Sequence, residues 1–118
     1  MANHLDTGKL GEQLAIKYLV AKSFTIIHTN WRYSHFEIDI IASCNEVLHF
    51  IEVKTRRSEK FGFPEESVTD KKLQNLINAA EAFLIIYPEW KRVQFDVLSI
   101  VLSGKSKADY YFIEDVYL

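Results

Sequence analysis

The chain has 118 residues, 48% hydrophobic and 25% charged, with a formal net charge of -2 and a single cysteine. That length supports one domain, residues 1–118, with one core and not two, and the balance is that of an ordinary globular protein. Cys44 alone excludes an internal disulfide and a cysteine-based zinc site. The polar opening from Met1 to Lys9 lacks a signal-peptide pattern, and the most apolar run, Ala79 to Tyr87, is too short to cross a bilayer and contains Glu81. A cytoplasmic protein without a membrane partner is the expectation.

In chain order, residues from about Asp6 to Lys22 place Leu10, Leu14, Ala15, Tyr18 and Leu19 at helical spacing, with Asp6 or Thr7 as N-cap. Phe24 to Asn30, rich in Thr and Ile, reads as a first strand. His35 to Ala42 and Glu46 to Lys54 read as two apolar-rich, β-branched strands around the polar break Ser43-Cys44-Asn45. Ser58 to Ser67, with Gly62 and Pro64, is a substantial loop. Thr69 can cap a long helix whose stripe is Leu73, Leu76, Ile77, Ala80, Phe83, Leu84 and Tyr87, ended by Pro88. Val93 to Leu102 is another strand, Gly104 marks a turn, and Tyr110 to Tyr117 is the last strand. The predicted order αβββαββ gives an α/β fold, a mixed sheet flanked by helices.

Asp39 lies between Ile38 and Ile40, and Glu52 between Ile51 and Val53, where an uncompensated carboxylate is costly. Each is either half of an internal salt bridge or a metal ligand. Alternation puts Glu37 and Asp39 on one face of their strand, and Glu52 and Lys54 on one face of theirs. If those faces coincide, hard oxygen donors converge with an ammonium, a set suited to Mg²⁺ or Mn²⁺. Lys54 can then position a water and balance charge developing on a phosphate; taken alone it is also simply the first exposed residue past a strand. Together this is nuclease chemistry, with Asp39, Glu52 and Lys54 as its catalytic residues. Glu37 reads either as a solvated strand residue or as a carboxylate that orients Lys54 from behind the ligands.

Lys54, Arg56, Arg57 and Lys60 bunch beside this site, which favours phosphate contact over a merely solvated face. Trp31-Arg32-Tyr33 reads as an aromatic-basic turn able to hold a sugar-phosphate, with core packing the commoner fate of Trp31. Asp96, alternating with apolar neighbours, reads as structural and paired with a basic side chain. The four histidines show no metal-ligand spacing. A net charge of -2 argues against a dedicated DNA-coating protein, yet an acidic cation site subtracts charge where the cation restores it.

Asp39, a strand and then Glu52-Val53-Lys54 resemble the core motif of the PD-(D/E)XK nuclease superfamily. More of the chain narrows the resemblance. Gly8-Lys9-Leu10-Gly11-Glu12-Gln13-Leu14-Ala15 is followed by Tyr18-Leu19, Asn30-Trp31-Arg32 and Glu37-Ile38-Asp39-Ile40-Ile41-Ala42. Then come Glu52-Val53-Lys54-Thr55-Arg56, Phe61-Gly62-Phe63-Pro64, Ser67-Val68 before Lys72, Ala79-Ala80 and Phe95-Asp96-Val97. This ordered set, over residues 7 to 100, is similar to the YraN-type bacterial family, endonuclease-like and related to archaeal Holliday-junction resolvases.

The resemblance implies a restriction-endonuclease-like core and Mg²⁺- or Mn²⁺-dependent hydrolysis of DNA phosphodiester bonds, branched or structured DNA included. It adds Glu12, on the first helix, to Asp39 and Glu52 as metal ligands; by itself Glu12 reads as a first-turn glutamate favoured by the helix dipole. It also matches Lys72 to a recurrent basic position, a phosphate contact beside Arg32, Arg56 and Arg57, or else an exposed helix lysine. Two positions depart from the pattern: Ile38 stands where the superfamily has Pro, and Phe36 where a small residue usually stands, its bulk narrowing access. The alternative function is a non-catalytic nucleic-acid-binding or DNA-repair accessory module of the same fold, which need not keep a costly acidic cluster. Resolvase-like relatives cut two strands symmetrically, which implies a twofold homodimer with the aromatic strand Tyr110 to Tyr117 as its candidate surface; the opposing reading is an internal strand covered by the long helix, in a monomer that nicks one strand.

Overall fold

Alternating apolar residues along five strands build one sheet, and two helices cover it. The structure, a computed structural model, describes residues 4–57, 70–103 and 107–116, with the side chains of 4–7, 70 and 72 excepted. The elements are α1 (His4–Ala21), β1 (Thr25–Tyr33), β2 (Phe36–Cys44), β3 (Val47–Arg56), α2 (Asp70–Ile86), β4 (Val93–Ser103) and β5 (Lys107–Ile113). The strands lie side by side in the order β1-β2-β3-β4-β5. All neighbours are antiparallel except β3 and β4, whose parallel pairing requires the crossover that α2 supplies. This is the αβββαββ mixed α/β architecture, compatible with a restriction-endonuclease-like core.

The period-2 pattern divides the core between the two faces. On one face, Ala15 and Leu19 of α1 pack on Ile40, Ala42, Ile51, Leu98, Ile100 and Leu102. On the other, Leu76, Ala79, Ala80 and Phe83 of α2 pack on Ile38, Ile41, Leu48 and Phe50. Phe83 is fully buried and meets Trp31 at 5.3 Å and Phe50 at 5.9 Å, both edge to face. Burying such a ring contributes about 1.5–3 kcal/mol. Midway along α1, Gly11 lies against β3 so closely that a Cβ there would sit 2.8 Å from the Thr55 Cβ. Glycine is what lets the helix touch the strand.

Several boundaries differ from the sequence reading. α1 opens at His4, so Asp6 and Thr7 lie inside the helix and neither caps it. Trp31, Arg32 and Tyr33 belong to β1 and not to a turn, because Asn30 takes a positive φ of 54° and carries the strand past the break. The chain reverses at Ser34-His35 instead. The second hairpin turns at Asn45 and Glu46, with φ of 52° and 66°, so Ser43 and Cys44 remain in β2. The last strand starts at Lys107 and ends at Ile113, after which Asp115 adopts a φ of 57°. The Ser58–Ser67 loop, the Thr69 cap, Gly104 and Tyr117 lie outside the described residues.

Asp96 explains why the chain leaves the sheet there. Its buried carboxyl meets His49 Nδ1 at 2.6 Å and accepts from Gln94 Nε2 at 3.0 Å and from the Asp115 backbone N–H at 2.9 Å. The structural, basic-partner reading of Asp96 is borne out, with a buried histidine as the partner. Phe24 closes over that histidine edge to face at 4.9 Å. β1 and β5 form the two edges of the sheet. Among the described residues no helix is long and apolar enough to cross a membrane.

Candidate active site

The β2–β3 ladder runs from Cys44 opposite Val47 to Ile40 opposite Ile51 and stops there. One position further, that register sets Asp39 opposite Glu52. Here the Val53 backbone N–H donates to the Asp39 carboxylate at 2.8 Å. A side chain has taken the place of a main-chain acceptor, and the two strands part around it.

The pleat is interrupted at the same point. Ile38 and Ile41 both pack toward α2, although three positions apart in a regular strand would set them on opposite faces. Across from Asp39, Asn30 stands between the pairs Thr29 with Ile40 and Trp31 with Ile38, and it is the residue with positive φ. Asparagine tolerates that conformation better than most side chains. The seam between β2 and β3 is thus prepared on β1 by one residue with unusual backbone freedom.

Glu52 and Lys54 share the face of Leu48 and Phe50, the α2 side. Lys54 Nζ lies 3.1 Å from Glu52 Oε2, with the side chains 26% and 14% exposed. Partial burial strengthens this pair relative to a surface ion pair, and the charges are partly screened. Glu12 approaches from α1, where the Asn30 side-chain amide donates to its carboxylate. Helix, edge strand and seam are therefore linked in sequence: Glu12 to Asn30, Asn30 across from Asp39, Asp39 to Val53, and Glu52 to Lys54.

Asp39 on β2 bonds the backbone of Val53, the residue between the paired Glu52 and Lys54 on β3. Glu12 stands on the other side of Asn30, and among the described residues no three His, Cys, Asp or Glu side chains are close enough to hold a metal ion. Asp39 and Glu52 carry hard oxygen atoms of the kind that could hold Mg²⁺ or Mn²⁺, and the Val53 N–H donates to the Asp39 carboxylate. Glu37 faces Arg32 across the β1–β2 ladder at 3.9 Å, a long and exposed ion pair. The structure thus gives Glu37 a different neighbour from Lys54. Arg32 is exposed, while Trp31 packs into the core against Phe83. Arg56 is half-buried at the end of β3 and Arg57 is exposed just beyond. The Lys72 side chain lies outside the described residues.

Two residues at the site escaped the sequence reading. Asn30 had a signal, an Asn ending an apolar run, but no sign of its bond to Glu12. Ser99 had none. It is fully buried on β4, directly beside Lys54 in the parallel ladder, and its Oγ is the buried side-chain oxygen without a hydrogen-bond partner among the described residues.

A family model described as "Uncharacterised protein family UPF0102" matches residues 11–100, from the Gly11 contact through the seam to β4. A UPF0102 protein of Phocaeicola vulgatus is 42% identical over 86% of this chain and 84% of its own length. Similar proteins of the same description occur in Flavobacterium johnsoniae, 40% identical over 92% and 91%, and in Dictyoglomus turgidum, 39% identical over 89% and 90%. The seam and Glu52-Val53-Lys54 fall in the matched span, and the chain belongs to the UPF0102 family, the YraN-type family its motifs resemble.

Proposed function

We propose that this protein is a divalent-cation-dependent endonuclease that hydrolyses DNA phosphodiester bonds, with branched or structured DNA as its substrate class. The observation that supports this best is the Val53-to-Asp39 hydrogen bond, which holds one carboxylate at the seam beside Glu52 and Lys54. Asp39 and Glu52 are the ligands for Mg²⁺ or Mn²⁺ in this reading, while Glu12 is engaged by Asn30 and stands apart from them. Such a cation, when bound, polarises the scissile phosphate and eases deprotonation of a water.

The protein's own groups do the rest. The Val53 N–H keeps Asp39 from rotating away. Lys54 brings a positive charge to where the phosphate gains negative charge, and its donors can hold the attacking water. Arg56 and Arg57 flank the site on the phosphate path, with Arg32 on β1 and Lys72 at the start of α2. Contacts of this kind give affinity without reading bases. The cytoplasm is the compartment that fits this role.

A second reading, a nucleic-acid-binding or repair-accessory module without cleavage, draws on one observation. Glu12 is engaged by Asn30, away from a three-carboxylate set. Cleavage of duplex, single-stranded, flap and four-way junction DNA, with and without Mg²⁺ or Mn²⁺, separates the two. Cation-dependent cuts that disappear in Asp39→Asn support the nuclease; tight binding of any of these with no cuts supports the module.

A further inference from the structure

We propose that Tyr33 is a stacking platform for an unpaired DNA base, so that the protein selects DNA in which a single strand leaves a duplex. The proposal rests on the reading of this chain as DNA-binding, which both functions above share, and it needs no bound cation. It starts from a fork in the sheet. The β2–β3 ladder ends at Ile40 and Ile51. Beyond it β2 stays paired with β1 as far as Phe36 opposite Tyr33, and β3 stays paired with β4 as far as Arg56 opposite Val101. Among the described residues no pair joins β2 to β3 past that point. One arm of the fork is the β1–β2 hairpin, tipped by Arg32, Tyr33, Ser34 and His35, all exposed. The other is the end of β3, with Lys54 and Arg56, and Arg57 just beyond. Asp39 bonds across the point where the arms divide.

The two arms carry different chemistry. The β3 arm holds three basic residues within four positions, a charge suited to a phosphate backbone. On the hairpin Arg32 is offset by Glu37 at 3.9 Å, and the distinctive group is a ring. Tyr33 is 46% exposed, although Trp31, two positions earlier and on the same face, packs on Phe83. That face is the α2 side, where Glu52 and Lys54 also stand. β1 therefore carries an aromatic side chain past the cover of α2, on the face of the candidate site. Its ladder partner Phe36 packs on the α2 core, so a cross-strand pair holds the position. A strand whose phosphates are drawn to the basic arm leaves its bases free to turn toward the ring. In a continuous duplex each base face is covered by its neighbours, and a tyrosine stacks only where a face is open. Phe36 is about 10 Å from Asp39 along β2, roughly three nucleotide steps of ~3.4 Å each. The exposed Arg32–Glu37 pair is weak enough for Arg32 to turn to a phosphate beside the stacked base.

The test is DNA binding in EDTA, without divalent cation, read by fluorescence anisotropy on the full chain. A labelled continuous duplex is compared with a labelled duplex that carries a single-stranded flap. The natural protein is expected to prefer the flapped DNA by about fivefold or more, the contribution of one stacked base. Tyr33→Ala and Tyr33→Leu should bring the ratio of the two affinities close to unity. Tyr33→Trp should keep it, because stacking needs a flat π-face and not merely an apolar side chain. Arg32→Ala should weaken both complexes together and leave the ratio as it was. Melting temperatures of the Tyr33 variants should stay within ~3 °C of the natural protein's, as for other surface substitutions. No preference for the flap, or a preference that survives in Tyr33→Ala, overturns the proposal and leaves the nuclease reading to its cleavage assay. A preference lost in Tyr33→Ala, in a protein that makes no cuts, upholds the proposal and removes the nuclease. Absence of binding to either DNA overturns both.

Discussion

Val53 donates its backbone N–H to Asp39, 2.8 Å away, and that bond both ends the β2–β3 ladder and aims a carboxylate. Structure and function are separable at this position. Asp39→Asn keeps an oxygen for Val53 and should change stability by less than about 1 kcal/mol, while cleavage falls by at least ~10²-fold. Asp39→Ala orphans the N–H and should cost about 1–2 kcal/mol in urea denaturation. Undiminished turnover in the purified asparagine variant would remove Asp39 from the mechanism.

Lys54 pairs with Glu52 in a partly exposed setting, so its structural worth is small. Lys54→Ala should shift stability by about 0–1 kcal/mol. Single-turnover cleavage should drop by roughly 10²-fold, since the charge it neutralises is largest in the transition state. An equal loss of stability and activity would point to a purely structural pair.

Asp96 is the hub of a buried network reaching His49, Gln94 and residue 115. Asp96→Ala strands each of these partners and should cost roughly 3 kcal/mol or more. Hydrogen exchange should show the amides of residues 114–116 losing protection before the rest of the sheet. Protection that persists there would mean the strand, not Asp96, holds this segment.

Gly11→Ala drives a methyl group into Thr55, whose Cβ it would approach to 2.8 Å. The expected cost is about 1–3 kcal/mol, typical of overpacking. Thr55→Ala in the same chain should restore part of it, a coupling that a double-mutant cycle measures. Strict additivity would show that α1 simply moves away.

β5 is an edge strand, and Tyr111 on it is 40% exposed. An open edge of this kind invites pairing with its copy. Light scattering at micromolar concentration should therefore report about twice 13.8 kDa. A mass of 13.8 kDa across the accessible range would rule out a stable dimer.

Much of the fold was legible because its signals are local. Helical stripes and period-2 alternation carry αβββαββ, and alternation alone places Glu52 and Lys54 on one face. What stayed hidden depends on partners far along the chain or on a single backbone dihedral. Asn30 flips to positive φ, so β1 runs on through Trp31 to Tyr33 where composition suggested a turn. Glu37 finds Arg32 because the longer strand sets them opposite each other. His49 shows no ligand spacing, yet 47 positions later Asp96 completes its hydrogen bond. Ser99 is an ordinary strand serine until β3 is laid beside it.

The strands stand in the sheet in the order in which they leave the ribosome. Each hairpin partner is already present when the next strand emerges, so most pairing closes short loops; only β3 to β4 waits for an excursion through α2. Vectorial synthesis and spatial order therefore agree, and at every stage a single fresh edge is exposed to misassociation. Asp115, made after β5, then reaches back to Asp96 and ties the segment past that strand to β4.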